Sequence, residues 1–138
     1  MVVLHLLWLA YAAEAEAAFA GEITRYQYSR YANPTVTVFE ERLRLLEGAE
    51  ACIATASGMA AVFASMAPIL TSGSRLVAAR ALFGSSIAVF DNFFASWGIT
   101  VDYVDAHVPE DWEKALATPA DAIYIEAPTN PMQDIVDL

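Results

Sequence analysis

Lysine is almost absent from this chain. Of 138 residues only seven are basic, six of them arginines, and Lys114 is the single lysine. Any chemistry that needs a lysine amine must use Lys114 or go without. Basic charge is scarce as a whole: 17 acidic groups leave a formal net charge of -10. That balance argues against a nucleic-acid partner, which needs clustered Lys and Arg to neutralise phosphates. Cysteine is just as thin. Cys52 stands alone in Ala51-Cys52-Ile53-Ala54, so no intramolecular disulfide can form, and the run predicts a small buried thiol in a strand rather than a nucleophile. A chain without a disulfide framework fits a reducing cytoplasm. His5 and His107 lie far apart, outside any recognisable ligand spacing, which leaves a metal site without support.

What is present is apolar. Hydrophobic residues make up 57% of the chain, enough to offset the entropy of ordering, so a disordered chain is excluded. The length suits one ordinary domain or part of a larger one. Residues 2–13 form an apolar run too short to span a membrane. Ala13-Glu14-Ala15 and Ala15-Glu16-Ala17 resemble signal-peptide cleavage sites, but no Lys or Arg precedes the run. The Ala-rich stretch 12–20 predicts a helix in its own right, stopped by Gly21.

From Tyr26 onward the pattern is regular. Asn33-Pro34 predicts a helix start, with a capping side chain before a proline at the first helical position. Phe39, Leu43 and Leu46 share one face, Glu40 and Arg44 pair at i,i+4, and Gly48 ends the segment. Strands are expected at 51–56, 75–80, 99–104 and 122–126, and helices at 57–70, 85–97 and 110–117. Strands alternating with helices over short loops predict an α/β fold: a mostly parallel sheet covered by helices.

Ligands of open α/β sheets bind beyond the carboxyl ends of the strands, and four polar motifs fall there or just before. Thr55-Ala56-Ser57-Gly58-Met59 opens a helix, where free N–H groups favour a phosphate. Leu82-Phe83-Gly84-Ser85 follows the second strand and offers a ring to a planar ligand. Glu126-Ala127-Pro128-Thr129-Asn130-Pro131 ends the fourth, with two prolines fixing the loop and holding Asn130 extended. Tyr28-Ser29-Arg30 lies in the arm before the first long helix. Taken singly, each has a plain structural reading: a capped helix, a core aromatic, a turn, a solvated surface or oligomer contact. As an ordered set they suggest a phosphorylated aromatic cofactor.

The same residues carry a family likeness. Tyr28-Ser29-Arg30-Tyr31-Ala32-Asn33-Pro34-Thr35, Leu46-Glu47-Gly48-Ala49-Glu50, Ser57-Gly58-Met59-Ala60-Ala61 and the 126–131 motif resemble the Cys/Met-metabolism (trans-sulfuration) family of pyridoxal-phosphate enzymes. Arg80-Ala81-Leu82-Phe83-Gly84-Ser85 and Asn130-Pro131-Met132-Gln133 are similar to its O-succinylhomoserine sulfhydrylase subgroup, and the likeness runs from about residue 14 to 138. The resemblance implies the large domain of a fold-type I pyridoxal-phosphate enzyme, preceded by an N-terminal arm. It implies that Ser57, Gly58 and Met59 hold the cofactor phosphate, the last two through backbone N–H groups. Tyr28 and Arg30 would reach the phosphate of a neighbouring subunit's cofactor, where an arginine fork suits three oxygens. Phe83, a tyrosine in many relatives, would stack on the pyridine ring. Asn130 would bond the ring's phenolic oxygen, with Glu126 in support. A shared site implies a homo-oligomer, commonly a tetramer. The implied reaction is γ-replacement on O-succinylhomoserine with sulfide to give homocysteine, in methionine biosynthesis; cystathionine γ-synthase, γ-lyase or a non-catalytic pyridoxal-phosphate-binding remnant is the alternative.

That chemistry turns on a lysine that both anchors the cofactor and carries protons. Lys114 sits in Asp111-Trp112-Glu113-Lys114-Ala115-Leu116, a polar helix face, and does not match the family's Ser-x-Thr lysine motif. The resemblance therefore implies the N-terminal part of a larger enzyme: residues 1–48 as arm and first helix, 49–138 as an incomplete cofactor-binding α/β domain, inactive alone. Residues 1–11 fit the family poorly. A sheet short of its later strands is expected to expose apolar surface and an edge.

Overall fold

The computed structural model describes residues 12–26 and 28–136. The apolar run at the N-terminus, and the signal-peptide reading attached to it, lie outside these residues up to position 11. Two compact units divide the chain, Met1–Ala54 and Thr55–Leu138.

In the first unit, helix α1 (Ala12–Phe19) buries Ala18 and ends as expected before Gly21. Helix α2 (Pro34–Glu47) begins where its sequence predicts. The Asn33 side chain accepts from the N–H of Thr35 at 2.9 Å and of Val36 at 3.4 Å, and Pro34 takes the first helical position. Gly48 closes the helix at φ 62°, a left-handed conformation that costs glycine little. The expected Glu40–Arg44 pair does not form. Arg44 forks instead onto both oxygens of Glu41, each at 2.8 Å, while Glu40 turns away to accept the N–H of Ala54 at 2.7 Å. The apolar face of α2 is uncovered: Phe39 is 56% and Leu46 83% exposed.

Residues 51–56, expected as a buried strand, form no strand. A strand needs a neighbour to satisfy its backbone, and both edges of the central strand are taken by others. Ile53 is consequently 83% exposed, and Cys52 is half-buried in irregular backbone rather than enclosed in a strand.

The second unit holds the sheet. Helix α3 (Gly58–Met66) starts from a Ser57 cap and stops four residues earlier than the 57–70 pattern suggests, just ahead of Pro68. Strands β1 (Arg75–Ala79), β2 (Thr100–Val104) and β3 (Ala122–Tyr124) pair in parallel in the order β2-β1-β3. Among the described residues the sheet thus has three strands where four were expected. Between β1 and β2 runs one helical segment: α4 (Gly84–Ala88), a π-helical turn at Val89–Phe94 and a 3₁₀ turn at Ala95–Trp97. Helix α5 (Pro109–Leu116) connects β2 to β3. Leu76, Val77, Ala78 and Ala79 of β1 are wholly buried, as are Phe90 and Phe94 above them. Phe90 stacks on Phe94 at 5.7 Å and meets Tyr124 edge-on at 4.9 Å. Only β1 is covered on both faces; β2 and β3 are partly exposed.

Arg75 fastens the foot of this unit. It forms an ion pair with Asp102 on β2 at 2.6 Å and donates to the carbonyls of Ala115 and Thr118, both at 2.8 Å, satisfying groups left over at the end of α5.

Candidate active site

Phe63 on α3 packs against Phe94 and Trp97, at 5.8 and 5.7 Å, just before β2 begins. The far end of α3 therefore lies at the foot of the sheet, and its N-terminus points toward the carboxyl ends of the strands. Helix α4 starts at the same end, directly after β1. Because β1 and β3 are parallel neighbours, the loops that follow them, 80–83 and 125–136, emerge side by side. Topology thus brings the motifs of Gly58, Phe83 and Asn130 to one end of one sheet.

At the α3 start, the Ser57 hydroxyl accepts the Ala60 N–H at 3.1 Å, and the Ser57 carbonyl takes the Ala61 N–H at 3.0 Å. The N–H groups of Gly58 and Met59 have no partner among the described residues, as at any helix start awaiting an anion. An added Cβ at Gly58 would meet no protein atom within 4 Å. Nothing in the fold itself requires glycine there, so the space over Gly58 is open for a ligand's close approach. These features fit a phosphate group.

Phe83 is 41% exposed, and its ring touches no other aromatic ring among the described residues, so it is free to cover a planar ligand. Its backbone is held from the loop that follows β3: the Glu126 carboxylate accepts the Phe83 N–H at 2.8 Å, the Ser86 hydroxyl at 2.9 Å and the Tyr124 hydroxyl at 3.4 Å. Burial chiefly raises the pKa of Tyr124, and the Glu126 charge adds to it, so this hydroxyl remains a donor. Asn130 is exposed at the tip of its loop. Thr129 beside it is buried and ties the loop, accepting the Asp134 N–H on its hydroxyl at 3.0 Å and the Gln133 N–H on its carbonyl at 2.8 Å. Both the Ala127-Pro128 and Asn130-Pro131 bonds are cis.

In the other unit, the Arg30 guanidinium lies 5.8 Å from the Tyr28 ring centre and 5.4 Å from that of Tyr31. Two rings hold it in place while no carboxylate pairs with it among the described residues, which leaves its donors for an anion. Lys114 is exposed on α5, in a groove of about 450 Å³ with Arg75, Arg80, Asp102, Tyr103 and Asp111. None of the candidate site residues lines that groove.

Ser86, Tyr124 and Thr129 escaped the sequence reading. Ser86 was findable: residues 86, 90 and 94 share one helical face, and a serine among buried phenylalanines must find a partner. Thr129 carries no such signal.

A parallel, helix-covered sheet with these residues at its strand ends is that of the large domain of fold-type I pyridoxal-phosphate enzymes. Residues 8–138 match the model of the Cys/Met metabolism PLP-dependent enzymes, and the chain belongs to that family. It is 56% identical over 127 residues to an O-succinylhomoserine sulfhydrylase of Mycobacterium tuberculosis and 45% identical to that of Pseudomonas aeruginosa. Each alignment covers 92% of this chain but only 31% and 32% of those relatives, so the chain spans about a third of their length. A Campylobacter jejuni crystal structure, a putative O-acetylhomoserine (thiol)-lyase with pyridoxyl-lysine monophosphate, superposes with a TM-score of 0.79 at 29% identity, over 94% of this chain and 32% of that one. Among the described residues no helix is long and apolar enough to cross a membrane.

Proposed function

We propose that these residues form the phosphate- and ring-binding part of a trans-sulfuration enzyme that replaces the succinyloxy group of O-succinylhomoserine with sulfide, releasing succinate and giving homocysteine. The observation that carries the reading is the start of α3, where the N–H groups of Gly58 and Met59 lack a partner among the described residues and a Cβ on Gly58 would meet no atom within 4 Å. When bound, pyridoxal phosphate supplies an electron sink for the charge left by the departing α-proton. The chain's own residues bind and orient it: Ser57, Gly58 and Met59 at the phosphate, Phe83 over the ring, Asn130 at its phenolic oxygen. Tyr28 and Arg30 serve the phosphate of a second subunit in a cytoplasmic homo-oligomer, with residues 1–48 as the arm that reaches across and 49–138 as the cofactor-binding part. The likeness to sulfhydrylases at 56% and 45% identity favours sulfide over the cysteine used by cystathionine γ-synthase. Lys114 stands outside this site, so the 138 residues bind the cofactor reversibly and do not turn over substrate.

Titration of the chain with pyridoxal phosphate tests this. Binding is expected, lost in Gly58→Val with helicity unchanged, and weakened in Arg30→Ala. Succinate release from O-succinylhomoserine and sulfide is expected to be nil. Binding indifferent to Gly58→Val sinks the phosphate assignment, and turnover abolished by Lys114→Ala sinks the exclusion of that lysine.

A further inference from the structure

We propose that Glu126, acting with Ser86 and Tyr124, is a positioning residue: it fixes where the Phe83 ring stands and does not itself touch the ligand. This rests on the reading that Phe83 covers the cofactor ring. Phe83 follows buried Leu82, and its own ring has no aromatic neighbour to hold it among the described residues. Its backbone N–H makes one charge-assisted bond, to Glu126 Oε2 at 2.8 Å, while its carbonyl accepts the Ser86 N–H at 2.8 Å and the Ile87 N–H at 3.3 Å. The other carboxylate oxygen, Oε1, accepts from the Ser86 and Tyr124 hydroxyls. Both oxygens of Glu126 are thus turned to the protein. The two hydroxyls are set in turn by the core. Ser86 is 1% exposed, and Tyr124 abuts the fully buried Phe90. Placement passes from the core through Glu126 to the backbone of Phe83, linking two segments, 82–90 and 124–126, that are distant in sequence.

Four variants of the chain test this: Glu126→Ala, Glu126→Gln, Phe83→Leu and the double Glu126→Ala/Phe83→Leu. Without ligand, Glu126→Ala is expected to speed hydrogen exchange at the Phe83 amide about tenfold or more, the scale of a lost bond to a charged group. With ligand, its affinity for pyridoxal phosphate is expected to fall about tenfold while competition by inorganic phosphate is unchanged. Glu126→Gln restores most of both, because its carbonyl oxygen still accepts the Phe83 N–H. In the Phe83→Leu background, Glu126→Ala adds no further loss. If Glu126→Ala does not fold, Ser86→Ala carries the same test with a smaller effect. An unchanged Phe83 amide overturns the proposal, and so does a full Glu126→Ala loss of affinity in the Phe83→Leu background. If the parent chain binds no pyridoxal phosphate, the cofactor reading fails, and the amide exchange alone still decides the positioning.

Discussion

The two units of the chain are both mostly apolar in sequence and opposite in what they bury. Unit Thr55–Leu138 encloses β1 completely and packs Phe90, Phe94 and Leu76 away from solvent. Unit Met1–Ala54 buries Ala18 alone among its described residues, and α2 shows solvent its Val38, Phe39, Leu45 and Leu46. Periodicity shapes both; cover distinguishes them. In the first unit the structure is held by local bonds, an Asn33 cap, a left-handed Gly48 and the Glu41–Arg44 fork. In the second it is held by side chains that meet across long stretches of sequence. Local bonds set the direction of a helix cheaply, whereas most stability comes from tertiary packing.

The contrast breaks most visibly at a core aromatic. Phe94→Ala removes a ring with no exposure that touches Phe63, Phe90 and Trp97, and is expected to cost about 3–5 kcal/mol in denaturant unfolding. Leu46→Ala, at 83% exposure, is expected to stay within about 0.5 kcal/mol. Equal losses would mean that α2 is covered in solution and that the comparison is misdrawn. Next in size is Arg75→Met. It keeps the stem but strips the donors from Asp102, Ala115 and Thr118, at an expected cost of about 2 kcal/mol. Hydrogen exchange should then quicken at the end of α5 and leave α2 untouched.

The same division explains what the sequence revealed. Asn33-Pro34, Gly21, Gly48 and Ser57-Gly58 were legible because capping acts over three or four residues. β1, β2, α5 and the parallel order followed from alternation alone. The failures came where a partner decides. Residues 51–56 have strand composition but no neighbour, and Glu40 was drawn off Arg44 by the backbone of Ala54, which no spacing rule foresees. At the candidate site, the residues proposed to face a ligand form short motifs, while Ser86 lies about 40 residues from Glu126 and meets its carboxylate only through folding.

The smallest effects are electrostatic, and they sort the two units by the side of neutrality on which each responds. In the second unit the Tyr103 hydroxyl is pushed above its ordinary pKa of 10.0, first by burial and then by its bond to Asp91 at 2.8 Å. A folded-state pKa raised above the unfolded one stabilises below the unfolded value and is lost as pH rises through the folded one. Alkaline absorbance titration should therefore show a late tyrosine step that shrinks in Tyr103→Phe and leaves the part due to Tyr124. In the first unit the Arg44 bond and charge hold the exposed Glu41 carboxyl below its ordinary 4.5. The sign reverses: its contribution is present above the unfolded value and lost as pH falls through the folded one. A slight loss of helix below about pH 4.5, absent in Glu41→Gln, is the expected signature. If acid instead loosened the sheet first, with α2 intact, the first unit would owe its shape to something other than its own local bonds.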